Sequence, residues 1–227
     1  MTSDESYADT RDMLAVHTMF RREYALMPEL VRSVMPGDKA RSEIVADHIA
    51  LMNGALHHHH AAEDKHIWPK LLERAAETIH PIVRSMQDQH EKLEEIIVES
   101  DVAVKQWRAS ATSGWGTALV EALNRLNVLV AQHMDLEEKQ ILPVIEKQIT
   151  AAEWDQMVED AAANTPPEHL PLIFGMVMYE GDPEVVEQIL SGLPPDVAPV
   201  LKERAPRVFA EYSARVHGNA TPARIKA

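Results

Sequence analysis

Along the first 150 residues, apolar side chains recur at spacings of three and four, the period of an α-helix with one buried face. Four long helices follow from this pattern. The first spans about Tyr7 to Met27 with Met13, His17, Phe20 and Tyr24 on its seam, and Pro28 is expected to end or kink it. The second, about Lys39 to Ile67, follows the loop Met35-Pro36-Gly37-Asp38 and aligns Ile44, His48, Met52, Ala55, His59 and Glu63. The third, about Ile79 to Ala109, carries Pro81 in its first turn, where proline is tolerated, and aligns Ile79, Val83, Met86, His90, Leu93 and Ile97. The fourth, about Trp115 to Gln148, has the clearest seam: Leu119, Leu123, Leu126, Val130, His133 and Glu137. Strand-like alternation is sparse. Long amphipathic helices with short connections predict an all-α fold, an up-down-up-down four-helix bundle over residues 8–150.

The pattern changes after Thr150. Ala151–Ala163 reads as one more helix, Asn164-Thr165-Pro166-Pro167 breaks the chain, and Leu170–Tyr179 is short and very apolar. Pro183–Leu190 and Val197–Val216 read as two further helices. Residues 151–227 are expected to form a helical C-terminal extension, packed on the bundle or used in self-association. As a separate domain, so few residues in short helices would make a marginal core.

Composition narrows the chemistry. The 227 residues carry a formal net charge of −14, which disfavours nucleic-acid phosphates as partners. No apolar run is long enough to span a membrane. The polar, acidic N-terminus lacks the basic and apolar regions of a signal peptide, so a cytoplasmic protein is expected. Cysteine is absent, so any metal site must be built from His, carboxylate or Tyr. Histidine, by contrast, occurs twelve times, and its clustering needs an explanation.

That clustering is ordered. His59-x-x-x-Glu63-Asp64-x-x-Ile67-Trp68-Pro69 recurs as His133-x-x-x-Glu137-Glu138-x-x-Ile141-Leu142-Pro143. Each copy places an imidazole and a carboxylate four residues apart, one above the other on a helix face. With His17 and His90, every long helix brings a histidine to its seam. Four imidazoles and two acids, Glu63 and Glu137, would then converge between the helices. Mixed nitrogen and oxygen donors suit iron, and a pair of cations removes the cost of burying two carboxylates. The run His57–His60 lies inside a continuing helical pattern, so only one or two of its rings can face inward. His59 is the expected ligand and His58 the reserve; His57 and His60 are expected to face a partner or solvent. His48 shares the face of His59 but lies about 16 Å away along the helix, too far for the same pair of ions. His66 and Tyr24 are placed behind the ligands, while His80, His169 and His217 are expected at the surface or in loops.

The repeated motif resembles the hemerythrin-like family, also called HHE cation-binding, over roughly residues 8–150. The resemblance implies a four-helix bundle with a non-haem diiron centre, completed by a water-derived oxo or hydroxo bridge. It matches the family's single first-helix histidine to His17, its second-helix pair to His59 and Glu63, and its fourth-helix pair to His133 with Glu137 or Glu138. The family spacing points to Glu138, whereas the internal repeat with His59 and Glu63 favours Glu137. On the third helix, oxygen-carrying hemerythrins have two histidines four apart; here Met86 stands in the first position and His90 in the second. One iron is therefore expected to lack an imidazole.

Three functions follow as expectations: binding or sensing of O2 or NO, catalase-like decomposition of peroxide, and iron handling. Zinc or another divalent metal in the same arrangement is an alternative occupant. A ferritin-type site built on Glu63-x-x-His66 and Glu77-x-x-His80 is disfavoured, because Pro81 puts the second pair at a helix start. The oligomeric state is left open.

Overall fold

The computed structural model describes residues 6–224. Four long helices form the body: α1 (Arg11–Arg32), α2 (Lys39–His66) and, after α3 (Trp68–Arg74) and a 3-10 turn at Glu77–Ile79, α4 (His80–Ser110) and α5 (Ser113–Leu136). A π-helical stretch, Glu137–Ile141, leads from α5 into α6 (Leu142–Gln148). The remainder is α7 (Ala151–Ala163), α8 (Leu170–Glu180), α9 (Pro183–Ser191) and α10 (Ala198–His217). The described residues are otherwise turns and loops, with one isolated antiparallel bridge between Tyr7 and Thr150. None of these helices is long and apolar enough to cross a membrane.

Local chemistry sets the boundaries. Gly37 adopts φ 85° in the turn after α1, and the Asp38 carboxylate then caps α2 by accepting from the Arg41 N–H at 3.0 Å. Thr150 and Glu153 form a reciprocal capping box at the start of α7. The repeated Ile-x-Pro acts twice: α2 breaks at Ile67, and α5 relaxes into the π-helical turn before Pro143, because neither proline can donate in a continuing ladder. One expectation fails. Pro28 lies inside α1, which runs on to Arg32 because Leu30 and Val31 are buried and hold the last turn down.

Around the body, α1 packs on α5, α5 on α4, α4 on α2 and α2 on α1. Two apolar clusters fill the interior. One contains Met19, Phe20, Leu56, Leu93, Val130 and Met134; the other contains Met13, Ala62, Trp68, Met86 and Ile141. On each long helix the change from one cluster to the other occurs around a histidine: His17, His59 and His60, His90, and His133. A polar layer thus lies between two apolar ones. Each large side chain buried in those layers contributes about 1.5–3 kcal/mol, which is what keeps the polar layer closed.

The later helices cover this body. α7 packs on α2, α8 and α9 pack on α1, and α10 packs on α8 and reaches α2. Gly175 permits the α8–α10 contact: a Cβ there would press on the Ala205 carbonyl oxygen and lie 2.8 Å from Phe209 Cβ.

Candidate metal centre

Five imidazoles and two carboxylates meet in the polar layer. His17 comes from α1, His59, His60 and Glu63 from α2, His90 from α4, His133 from α5, and Glu137 from the π-helical turn. His17, Glu63, His133 and Glu137 are almost wholly inaccessible, and His59 is only 12% exposed. Their atoms fall into two groups. Nitrogens of His60, His90 and His133 converge with a Glu63 oxygen, and nitrogens of His17 and His59 converge with Glu63 as well. Glu63 therefore faces both groups: Oε1 lies 3.1 Å from His59 Nε2 and Oε2 lies 3.4 Å from His90 Nε2. Glu137 does the same through one oxygen, with Oε2 at 3.4 Å from His17 Nε2 and 3.6 Å from His133 Nε2.

These close approaches are not hydrogen bonds. The Nε2 atoms of His17, His59 and His60 and all four oxygens of Glu63 and Glu137 are buried without a hydrogen-bond partner. A buried polar group left unsatisfied costs about 1–3 kcal/mol. Five such groups in one layer would cost roughly 5–15 kcal/mol, as much as the whole stability of an ordinary domain. A cation held among them removes that cost, and nitrogen with carboxylate oxygen is a donor set that transition metals take. The residues present fit a pair of metal ions.

The outward-facing ring atoms are satisfied. His17 Nδ1 lies 2.9 Å from Glu138 Oε1, His90 Nδ1 lies 2.9 Å from Asp64 Oδ1, and His133 Nδ1 lies 3.2 Å from Gln89 Oε1. In the tautomer whose Nδ1–H donates outward, Nε2 turns a lone pair inward; His90 Nε2 and His133 Nε2, 3.3 Å apart, face one another there. The repeat explains two of the three partners. In each copy the first acid points into the layer, while the next acid orients an imidazole from another helix. Glu138 also accepts from Arg21 Nη1 at 2.6 Å. Burial would raise the Glu138 carboxyl, but its bonds from His17 and Arg21 outweigh burial and hold it below its ordinary value.

Burial pushes His59, His60 and His133 well below the ordinary histidine range, helped by the imidazoles around each. Those rings are neutral and keep their lone pairs. Burial pushes Glu63 well above the ordinary carboxylate range, with Glu137 and Asp64 adding repulsion, and burial raises Glu137 as well. Without a cation, this layer resists carrying two negative charges.

The remaining sequence expectations are placed as follows. His60, expected to face outward, is buried in the layer, its ring stacked on His90. It lies three residues before Glu63, a helical same-face spacing that signals this position. His58 is not among the converging side chains; it lies beside His57 and borders an apolar cleft. His66 turns to α7 and lies 3.1 Å from Asp160 Oδ2. The Tyr24 hydroxyl, expected behind the ligands, instead donates to Asn53 Oδ1 at 3.1 Å. Met86 is buried in the apolar cluster with Trp68 and Val83. His217, expected at the surface, has a nearly buried side chain between α1 and α2.

Comparison with curated proteins and with solved structures gave no match in either case. Residues 8–158, well over half of the chain, match the hemerythrin HHE cation binding domain, and the span takes in all seven side chains of the layer; the chain belongs to that metal-binding family.

Proposed function

We propose that this protein is a non-haem diiron protein whose four long helices run as an up-down-up-down bundle and whose centre binds a small uncharged diatomic, O2 or NO. In this reading His17 and His59 would hold one iron, His60, His90 and His133 would hold the other, and Glu63 and Glu137, which face both groups, would serve both. The observation that carries it is the buried layer in which both carboxylates face imidazoles of both groups and lack any hydrogen-bond partner. His60 supplies the imidazole that Met86 does not. The iron pair, when bound, supplies redox chemistry toward a small ligand. The protein's part is to hold the imidazoles in place through Glu138, Asp64 and Gln89, and to keep bulk water out with the two apolar layers.

Unequal imidazole numbers leave the His17–His59 side with fewer protein donors. That side borders an apolar cleft of about 250 Å³ reaching His59, walled by Met19, Phe20, Met157, Phe174 and Val177. Such a lining favours an uncharged gas over peroxide, which needs hydrogen-bond partners along its path. The test is a visible spectrum of protein with measured iron, taken before and after O2 and NO are cycled under reducing conditions. A reversible change supports the reading. Rapid oxygen evolution from peroxide with no reversible change would replace it with the catalase-like one.

A further inference from the structure

A second cluster of metal-ligating side chains lies where the C-terminal helix meets the body. Glu23 of α1, His48 of α2 and His217, the last residue of α10, bring Glu23 Oε2 to 3.2 Å from His48 Nε2 and 3.1 Å from His217 Nε2. All three atoms lie within 4.8 Å of one another. Glu23 and His48 are inaccessible, and the His217 side chain is only 6% exposed. His48 lies about 16 Å along α2 from His59, so this cluster is separate from the diiron layer.

Two observations argue against a plain His–Glu–His hydrogen-bonded bridge. First, His217 Nε2 is aligned to donate to Glu23, but His48 Nε2 is buried with no hydrogen-bond partner despite its short distance. Its Nδ1 is engaged, 3.0 Å from the Tyr212 hydroxyl. When Nδ1–H donates to Tyr212, Nε2 presents a bare lone pair to a carboxylate oxygen, an arrangement that a cation resolves. Second, one buried guanidinium is shared by two carboxylates. Arg22 donates to Glu23 Oε1 through Nε at 2.8 Å and through Nη2, and to Glu180 Oε1 at 2.8 Å. Arg22 alone therefore does not neutralise both acids in this dry site. Arg22 occupies only Oε1 of Glu23, so Oε2 stays free for the two imidazoles. Glu23 Oε2 thus lies 3.2 and 3.1 Å from the two nitrogens, within the roughly 2.8–3.6 Å that pairs of donors show around a common ion at about 2.0–2.2 Å.

We propose that Glu23 Oε2, His48 Nε2 and His217 Nε2 form a mononuclear site for a divalent transition-metal ion of the zinc(II) or iron(II) class, and that this ion fastens the end of α10 to α1 and α2. The site is independent of the diiron reading. Its test uses the full chain, stripped with a chelator and reloaded with zinc(II), with metal counted per folded chain. His217→Gln is expected to bind about one equivalent fewer than the parent, while Glu63→Gln combined with His133→Ala keeps that equivalent. His48→Gln approaches the same site from α2 and is expected to reproduce the loss. Hydrogen exchange of the unmutated chain adds a readout that needs no variant: stripping is expected to speed amide exchange in residues 213–217. Equal zinc content in the parent and His217→Gln, or exchange in 213–217 unmoved by stripping, overturns the proposal. Failure of the diiron reading would show instead as no equivalents lost from the Glu63→Gln and His133→Ala chain, with the His217→Gln loss unchanged.

Discussion

The imidazole of His60 lies flat on that of His90, with ring centroids 4.1 Å apart and planes inclined by 15°, and it meets His133 edge-on at 4.9 Å. Three rings at this spacing can serve as a donor set, because their nitrogens converge with a glutamate oxygen, which stacking alone does not explain. His60→Ala and His133→Ala are therefore each expected to lower iron below two per chain. His58→Ala, one residue away on the helix, is expected to leave iron unchanged. Iron and protein quantified on the same sample decide the matter, and normal iron in His60→Ala would remove His60 from the site.

Glu137 and Glu138 divide two tasks that either could have performed. Glu137 is inaccessible and faces His17 and His133, whereas Glu138 sits behind His17 and is held by Arg21. Glu137→Gln is expected to reduce iron stoichiometry. Glu138→Gln is expected to keep stoichiometry but weaken affinity by roughly 10–100-fold, the usual effect of losing a ligand's supporting carboxylate. Competition against a chelator of known affinity separates the two outcomes, and the reverse pattern would exchange the roles.

Much of this was legible in the sequence, for identifiable reasons. The four seams repeat at the helical period, and each passes through a histidine, which places donors where apolar residues would otherwise sit. The repeated acid pair anticipated Glu63 and Glu137 at the same register. His60 was missed because a seam describes one face, and successive residues point about 100° apart. The polar layer draws on two adjacent faces of α2, that of His59 and that of His60. Pro28 was read by its intrinsic preference, which burial of Leu30 and Val31 overrides. His217 carries no local signal at all: its partners Glu23 and His48 lie far away in sequence, and only the packing of α10 brings them together.

Packing of the C-terminal helices on the body rests on a close approach. Gly175→Ala would place a methyl against the Ala205 carbonyl and Phe209, backbone that cannot yield cheaply. A loss of about 1–3 kcal/mol is expected, seen as a lower midpoint in thermal or denaturant unfolding. Gly54→Ala is the control. It sits within α2 with nothing inside 4 Å of the new Cβ, and it is expected to raise stability by about 0.4–1 kcal/mol. Equal effects at the two glycines would contradict the packing of α8 on α10.

The junction between α3 and α7 predicts a pH dependence. Arg74 grips Glu153 with two parallel bonds of 2.8 Å, and Lys70 lies 3.9 Å away. The Arg74 bond is the largest influence on the Glu153 carboxyl and brings it from 4.5 down to about 2. A carboxyl lowered on folding stabilises the folded chain while ionised. Its contribution is therefore complete above about 4.5 and fades as pH falls toward 2. Glu153 is largely solvated, so screening limits the effect to about 1 kcal/mol or less. Glu153→Gln keeps an acceptor for the Thr150 N–H in the capping box and removes only the charge. The variant is expected to unfold slightly earlier than the parent at pH 7 and together with it near pH 2. A gap that stays constant across that range would mean that the charge on Glu153 contributes nothing, and that packing alone holds α7 in place.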